Sequence, residues 1–181
     1  MNNTLKHKST NSSNNLYMLL CLIGFTSTFA LNLSHKLISC SLWFTIIVLV
    51  INTLGELFGK KKALETLAIC VILSFIAMWK KADLALVGSF ISVITACYAS
   101  LSVRASGGFQ VRNFLGLGAA ALVDSLMMFI TFTILHAPAA DKIVNILFKD
   151  LMFKFSYISV AAVCLFLALK MIDYKASARA S

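Results

Sequence analysis

The chain has 181 residues, of which 60% are hydrophobic and 13% are charged, and its formal net charge is +9. A soluble domain carries about 25% charged residues, so this composition excludes an ordinary soluble protein and predicts an integral membrane protein. The basic residues form short clusters between apolar runs and build no basic face interleaved with aromatic residues, so they indicate orientation in a membrane rather than nucleic-acid binding.

The chain begins with a polar segment rich in Asn and Ser, residues 1–15, which we expect to be a disordered cytoplasmic tail. Six apolar runs follow, each near the ~20 residues that a helix needs to cross the hydrocarbon core. The predicted transmembrane helices are 16–33, 37–54, 63–79, 84–103, 114–135 and 151–172, and residues 173–181 form a second cytoplasmic tail. The sequence therefore predicts an all-α membrane protein with six transmembrane helices in one bundle.

The first apolar run has an alternative interpretation, because its basic flank and small-residue end are also typical of a signal peptide. The run is long enough to span, however, and the next run begins four residues later, which favours a transmembrane helix. With both termini inside, the cytoplasmic side holds ten Lys and Arg residues and the outer side six. The positive-inside rule therefore predicts cytoplasmic termini, with the triplet Lys60, Lys61 and Lys62 as the strongest cluster and with Lys80 and Lys81 as the main contrary evidence.

The fifth predicted helix carries Asp124 near its midpoint. A carboxylate at the bilayer centre costs roughly 2.5–3.5 kcal/mol on the insertion scale, which the Leu, Ile, Phe and Val residues of the same run offset. Helical spacing puts small and polar residues on one face (Asn113, Leu117, Ala120, Ala121, Asp124, Met128 and Thr131) and large apolar ones on the other (Leu115, Leu122, Leu126, Phe129 and Ile130). Asp124 thus indicates an intramembrane functional site, and a purely structural hydrogen bond to a neighbouring helix is the alternative.

Further polar candidates lie near the ends of other predicted helices. Asn52 and Glu56 are four residues apart and share a helix face just inside the lysine triplet, where Glu56 either marks a site or snorkels or pairs with Lys60. Asn32 lies near the outer end of the first helix. The fourth helix has a face of small residues that predicts close helix packing, namely Ser89, Ser92, Ala96, Ala99 and Ser100.

Lys154 lies early in the last predicted helix, four residues after Asp150, which is the favourable order for a helical ion pair. Because Lys154 is about one turn below the outer surface, it either snorkels to the headgroups or faces a cavity. In the second case it balances Asp124 or binds substrate.

Motifs of catalysis are missing from the sequence. The stretch 55–61 resembles a P-loop but has one residue too few between its glycines and no Ser or Thr after the lysine. Each of the five cysteines falls inside an apolar run, with no CxxC or Cys/His spacing, so we expect small buried hydrophobic residues rather than disulfides or zinc ligands. We therefore predict no enzyme, no catalytic residue, no metal and no cofactor, and expect a solute-binding bundle.

Three elements of the sequence resemble a known family. They are Glu56-Leu-Phe-Gly59-Lys60-Lys61-Lys62-Ala63, then Arg112-Asn113 followed by Asp124-Ser125, and finally Asp150-Leu-Met-Phe-Lys154. In this order they resemble the queuosine precursor transporter family of bacteria, which belongs to the wider group of vitamin uptake transporters. Asn32 matches the asparagine that such proteins carry toward the end of the first helix. The chain departs from the family in being short and in having Cys164 where relatives often carry a proline.

The resemblance implies a multi-pass protein of the bacterial inner (plasma) membrane that imports 7-cyano-7-deazaguanine or 7-aminomethyl-7-deazaguanine for tRNA modification salvage. In a binding site of this kind, Asp124 or Glu56 accepts hydrogen bonds from the ring N–H and the exocyclic amine of the 7-deazapurine. Asn32, Asn52 and Asn113 complete the pattern, and Lys154 contributes where it faces the cavity.

Two other functions stay open at this point. The chain could be the substrate-binding subunit of a multi-component vitamin importer, because such subunits are also small six-helix bundles, or a non-transporting membrane scaffold protein. Energising partner subunits and a homo-oligomer are both compatible with the sequence. The expected partners are otherwise the 7-deazapurine and the lipid bilayer, and no nucleic acid.

Overall fold

The computed structural model describes residues 3–81, 83–103, 108–135 and 140–180. These residues form six α helices: α1 (Asn3–Leu33), α2 (Leu37–Phe58), α3 (Lys60–Ala77), α4 (Leu84–Ser102), α5 (Phe109–Ile134) and α6 (Ala140–Ala180). A short 3-10 segment, Trp79–Lys81, lies between α3 and α4. No strand occurs in the described ranges, so the predicted all-α class is confirmed.

Five stretches are long and apolar enough to cross a membrane, and they are Asn14–Leu33, Leu37–Phe58, Leu84–Ser102, Phe109–Ile134 and Lys142–Leu167. Helices of this length and composition are those of a multi-pass membrane protein. The third helix does not meet the same criterion, because its 18 residues begin with three lysines and include Glu65.

Several helices are longer than their apolar runs. The first is helical from Asn3, where we expected a disordered tail over residues 1–15, and α6 continues to Ala180 through the second expected tail. The fifth helix begins at Phe109 rather than at residue 114, and α6 begins at Ala140 rather than at residue 151. These added stretches are more polar than the apolar runs, but they contain no proline that would break a helix. Hydropathy therefore marks where a helix meets lipid but not where the helix ends.

The second helix lies at the centre of the bundle and contacts each of the other five helices. It is apolar around most of its circumference, as expected of a helix that packs against neighbours on several sides. Its buried residues form much of the hydrophobic core, among them Phe44, Ile47, Val48, Ile51 and Leu54. Gly59 is the single residue between α2 and α3. Its φ of 90° lies in the left-handed region, which glycine adopts without strain.

The bundle has two distinct ends. At one end, which we call the hairpin end, α1, α3 and α5 finish and α2, α4 and α6 begin. We call the opposite end the terminal end. At the hairpin end, Ser89 of α4 donates a hydrogen bond to Asn32 of α1 over 2.9 Å. Toward the terminal end, the hydroxyls of Tyr17 in α1 and Thr66 in α3 lie 2.8 Å apart.

The fifth helix has the two faces that its sequence predicts. The small and polar face is buried at Asn113, Leu117, Ala120, Ala121 and Asp124, and Leu115, Leu122, Leu126 and Ile130 are exposed on the other side. Phe129 is the exception, because it is half-buried and lines an internal cavity rather than the outer surface. The inward face of α5 thus carries Asp124 into the bundle.

Candidate solute-binding site

The buried charged residues of the bundle meet in one place. We call this group the charged cluster, and its members are Ser41, Ser92, Asp124, Ser125, Asp150 and Lys154. The Lys154 ammonium donates to Asp124 Oδ2 over 2.5 Å and to Ser125 Oγ over 3.0 Å. Its third contact is with Asp150 Oδ2, one helical turn earlier on α6. The lysine therefore joins α6 to α5 through Asp124 and Ser125, and Asp150 completes its coordination from within α6.

Serine hydroxyls complete the coordination of the two carboxylates. Ser92 of α4 donates to Asp124 Oδ1 over 2.5 Å. Asp150 accepts from Ser41 of α2 at Oδ1 over 3.0 Å and from Ser125 at Oδ2 over 2.6 Å. The charged cluster thus draws on α2, α4, α5 and α6, and each of its four carboxylate oxygens has at least one donor.

The cluster is almost fully removed from solvent, since Asp124 is 6% exposed, Asp150 8% and Lys154 2%. The Lys154 ammonium also lies 4.8 Å from the centroid of the Phe44 ring, within the range of a cation–π contact. Charges buried in a low-dielectric interior are expensive unless they are paired and hydrogen-bonded, as they are here. Even so, a well-packed hydrophobic core is usually as stable, so such a cluster inside a membrane indicates a function.

A cavity of about 640 Å³ extends from the hairpin end to the charged cluster. Its volume falls within the ~300–1,000 Å³ that is typical of small-molecule sites. Asp124, Ser125, Asp150 and Lys154 line its deep part, and its walls are largely apolar and aromatic. Wall residues from the ends of the helices include Asn32, Leu37, Met78, Leu86, Phe132 and Ile143. An apolar wall with a few convergent polar groups is typical of binding sites for small organic molecules, so this cavity is the candidate site.

A second polar group lies toward the terminal end, away from the cavity. Asn52 Nδ2 of α2 donates to Asn113 Oδ1 of α5 over 2.8 Å, and Ser100 Oγ of α4 donates to Asn52 Oδ1 over 2.8 Å. Gly116 allows this approach, because a Cβ there would lie 2.7 Å from Ser100 Oγ. One turn further out, the half-exposed side chains of Glu56 and Arg112 form an ion pair between α2 and α5. We call these five hydrogen-bonding and charged residues (Asn52, Glu56, Ser100, Arg112 and Asn113) the terminal latch.

The structure divides the predicted site residues between two places. Asp124, Lys154 and Asn32 line the cavity. Asn52, Asn113 and Glu56 belong to the terminal latch and are not part of the cavity lining, because they lie on the last turns of α2 and the first turns of α5. The six residues therefore do not form one continuous site.

The two open questions about charged side chains are answered by ion pairs. Lys154 does not snorkel to the surface but balances Asp124 inside the bundle. Glu56 pairs with Arg112 rather than with Lys60, since the chain turns at Gly59 and carries the lysines onto α3. The sequence also places His136 at a helix end and Pro138 in the loop before the last helix, and both residues lie outside the described ranges.

Reasoning from the sequence missed the second carboxylate of the site. The sequence alone predicts Asp150 only as a helical partner of Lys154, although its spacing places it on the same face. It predicts Ser92 as a packing residue on the small face of α4, yet the Ser92 hydroxyl donates to Asp124. For Ser41 no sequence signal was available, because its role depends on how α2 packs against α6.

Within the part of the chain that the structure describes, no group of three His, Cys, Asp or Glu side chains is arranged to hold a metal ion. Comparisons with protein-family models, with curated proteins and with solved structures found no match.

Proposed function

We propose that the chain is a membrane transporter of the bacterial inner membrane that imports 7-deazaguanine precursors of queuosine, and not an enzyme. The observation that carries the proposal is the charged cluster at the deep end of an apolar cavity. The choice of the 7-deazapurine comes from the resemblance of the sequence to queuosine precursor transporters.

The chemistry of a 7-deazaguanine suits such a cavity. The base is flat and has an N–H and an exocyclic amine on one edge. A carboxylate can accept hydrogen bonds from both groups at once. Asp124 and Asp150 provide carboxylate oxygens at the deep end, and Phe44, Phe129 and Phe132 provide aromatic surfaces. Asn32, held by Ser89 at 2.9 Å, offers an amide nearer the hairpin end. A base that lacks the donor edge would not use the acceptor capacity that Asp124 and Asp150 retain, and such a loss of hydrogen bonds is the basis of selectivity in sites of this kind.

We further propose six membrane crossings, with α3 as the sixth. Thr66, early in α3, contacts Tyr17 toward the terminal end, whereas Met78 lines the cavity with Asn32 and Leu37 at the hairpin end. A helix that runs from one end of the bundle to the other is expected to cross with its neighbours. The lysines at its start then lie at the membrane edge, where their charge is solvated.

Both termini are proposed to be cytoplasmic. Lys154 is buried in the charged cluster, so it no longer counts as an outer charge, and the ratio of inner to outer Lys and Arg residues becomes ten to five. In this orientation the cavity opens toward the outside and the terminal latch closes the cytoplasmic side.

Import then requires the two ends to exchange roles. The terminal latch ties α2 to α5 by the Asn52–Asn113 hydrogen bond and by the Glu56–Arg112 ion pair. Separation of these contacts, with closure around the hairpin end, would release the solute to the cytoplasm, as in other carriers that open to each side in turn.

The experiment is precursor uptake in a bacterium that depends on salvage, lacks its own precursor transporter and lacks the energising subunits of multi-component importers. Queuosine in tRNA is measured after the chain is expressed and the 7-cyano or 7-aminomethyl precursor is supplied at a limiting concentration. We expect queuosine to appear with the wild-type chain and not with the empty vector. Equal queuosine levels in the two strains, with the chain present in the membrane, would contradict the proposal.

A further inference from the structure

The cavity is negatively charged, in contrast to the protein as a whole. Its described lining contains three carboxylates, from Asp83, Asp124 and Asp150, and one ammonium, from Lys154, so its formal charge is −2 if His35 is neutral. The whole chain carries +9. Within the buried part, two carboxylates share one ammonium, so the group keeps a net formal charge of −1. A charge that is buried without compensation is costly, so a cation is the ligand that best completes this site.

Hydrogen bonding at the deep end favours a donor as well. An ammonium has three N–H groups, and those of Lys154 are directed to Asp124, Ser125 and Asp150. The hydroxyls of Ser92 and Ser125 already donate to the two aspartates. A carboxylate accepts about four hydrogen bonds, so Asp124 and Asp150 retain free lone pairs. The charged cluster can therefore accept hydrogen bonds from a ligand but has few donors to offer.

The geometry points to a ligand that carries a protonated amine on a flat apolar body. We propose that the ammonium of this ligand binds at Asp150, which leaves Asp124 for the ring N–H and exocyclic amine of the base, while the ring packs against Phe129 and Phe132 in the cavity wall. A metal ion does not fit this place, because no three His, Cys, Asp or Glu side chains of the described residues are arranged to hold one. An anion would face net negative charge without a free donor.

Applied to the two precursors, and resting on the proposed function, this inference selects between them. The aliphatic amine of 7-aminomethyl-7-deazaguanine is protonated at neutral pH, whereas the 7-cyano group is neutral and accepts hydrogen bonds. The charged cluster therefore favours the aminomethyl form, since it supplies both the missing positive charge and the N–H donors.

The test is isothermal titration of the purified full-length protein in lipid nanodiscs with four probes. Two are the 7-aminomethyl and 7-cyano precursors, and two are benzylammonium and benzyl alcohol, which differ in charge but not in their aromatic ring. We expect each cationic probe to bind about tenfold tighter than its neutral counterpart, as a charge-assisted contact predicts. Equal or tighter binding of the neutral members, or no binding of either cation, would overturn the inference.

Variants localise the effect. Asp150→Asn should remove the preference for the cation, whereas Glu65→Gln, which removes an exposed carboxylate of α3 outside the cavity lining, should keep it. Asp83→Asn keeps an acceptor for the N-cap bond to the Leu86 N–H, so the variant should fold, and it should weaken cation binding about twofold to fivefold. A preference for cations that survives both Asp150→Asn and Asp83→Asn would contradict the assignment.

Failure of this inference and failure of the proposed function have different signatures. If benzylammonium binds through Asp150 but neither precursor binds, the cation site stands and the 7-deazaguanine function fails. If both precursors bind equally well and Asp150→Asn changes neither affinity, the function stands and the cation site fails.

Discussion

The Nζ atom of Lys154 lies 2.5 Å from Asp124 Oδ2, although 30 residues separate the two in the sequence. This ion pair binds α6 to α5. Asp150, on α6 itself, shares the same ammonium, so the lysine is held between two aspartates. Removal of one charge therefore has unequal effects. Loss of Asp124 leaves a neutral lysine–aspartate pair, whereas loss of Lys154 leaves two buried carboxylates.

The first prediction follows from this asymmetry. Lys154→Met should be the most damaging change in the charged cluster, since an uncompensated buried charge costs about 3–5 kcal/mol. Addition of Asp124→Asn to Lys154→Met should restore part of the loss, and Asp124→Asn alone should accumulate best of the three. The measurement is the amount of protein in the membrane together with its thermal unfolding midpoint in detergent. The matched control is Lys149→Met, on an exposed position of the same helix. If Lys154→Met behaves like Lys149→Met, the ion pairs do not support the fold.

The expected order of these variants depends on Asp150. With only Asp124 and Lys154 considered, the double change should surpass both single changes. The presence of Asp150 alters the order, because it can neutralise the lysine that Asp124→Asn leaves behind.

The second prediction concerns the contact between α4 and α5. A Cβ at Gly88 would lie 2.5 Å from Thr131 Cγ2 and 2.8 Å from Thr131 Oγ1. Gly88→Ala should therefore lower the stability by about 1–3 kcal/mol, and Thr131→Ala in the same chain should restore most of it, since both close atoms are removed. The comparison is by thermal unfolding in detergent. Gly118→Ala is the control, because its Cβ would meet nothing nearer than 3.9 Å. Equal midpoints for Gly88→Ala and Gly118→Ala would show that the helices are not so closely packed.

Much of the architecture could be predicted from the sequence, for a simple physical reason. The apolar runs and the inward face of α5 follow from local periodicity, so the all-α class and the burial of Asp124 needed no tertiary information. The helix ends did not follow, because polar stretches without proline continue a helix beyond the lipid.

The site was predictable only in part. Asp124 was identified from its cost in the bilayer, which is a property of one residue in its own helix. Which polar residues meet depends on how helices pack, so Asn52 and Asn113 were assigned to the same site as Asp124 but in fact bond to each other near the terminal end. Ser41 and Ser92 could not be predicted for the same reason. The sequence does not distinguish a serine that only packs against a neighbouring helix from one that donates a hydrogen bond to it.

The third prediction tests the terminal latch. With Glu56→Cys and Arg112→Cys in one chain, a short bifunctional thiol reagent should link α2 to α5 and stop uptake, while the cavity still binds its solute. The measurements are precursor uptake and, on the same cross-linked protein, solute binding. The controls are the two variants that carry only one of the introduced cysteines, treated with the same reagent. They show what the reagent does through the five native cysteines. Normal uptake by the cross-linked protein would mean that α2 and α5 do not separate during transport.

The fourth prediction is the orientation of the chain. A reporter that is active only in the cytoplasm should be active when it is fused to the C-terminus, and a reporter that is active only outside should be silent there. Fusion of the same reporters after Gly59, between α2 and α3, and after Lys81, between α3 and α4, should give opposite patterns if α3 crosses the membrane. Matching patterns at Gly59 and Lys81 would contradict a crossing by α3, and a reversed C-terminal pattern would turn the cavity toward the cytoplasm.

The central claim is that Asp124 serves solute binding rather than the fold, and precursor uptake by Asp124→Asn tests it most directly. Asparagine keeps the size of the side chain and an acceptor for Ser92, and it leaves Lys154 neutralised by Asp150. The variant should therefore reach the membrane in wild-type amounts, yet its uptake at a limiting precursor concentration should fall about tenfold or more, as expected for loss of a charge-assisted contact. Glu65→Gln, which removes an exposed carboxylate, should transport like the wild type. Wild-type uptake by Asp124→Asn would contradict the account.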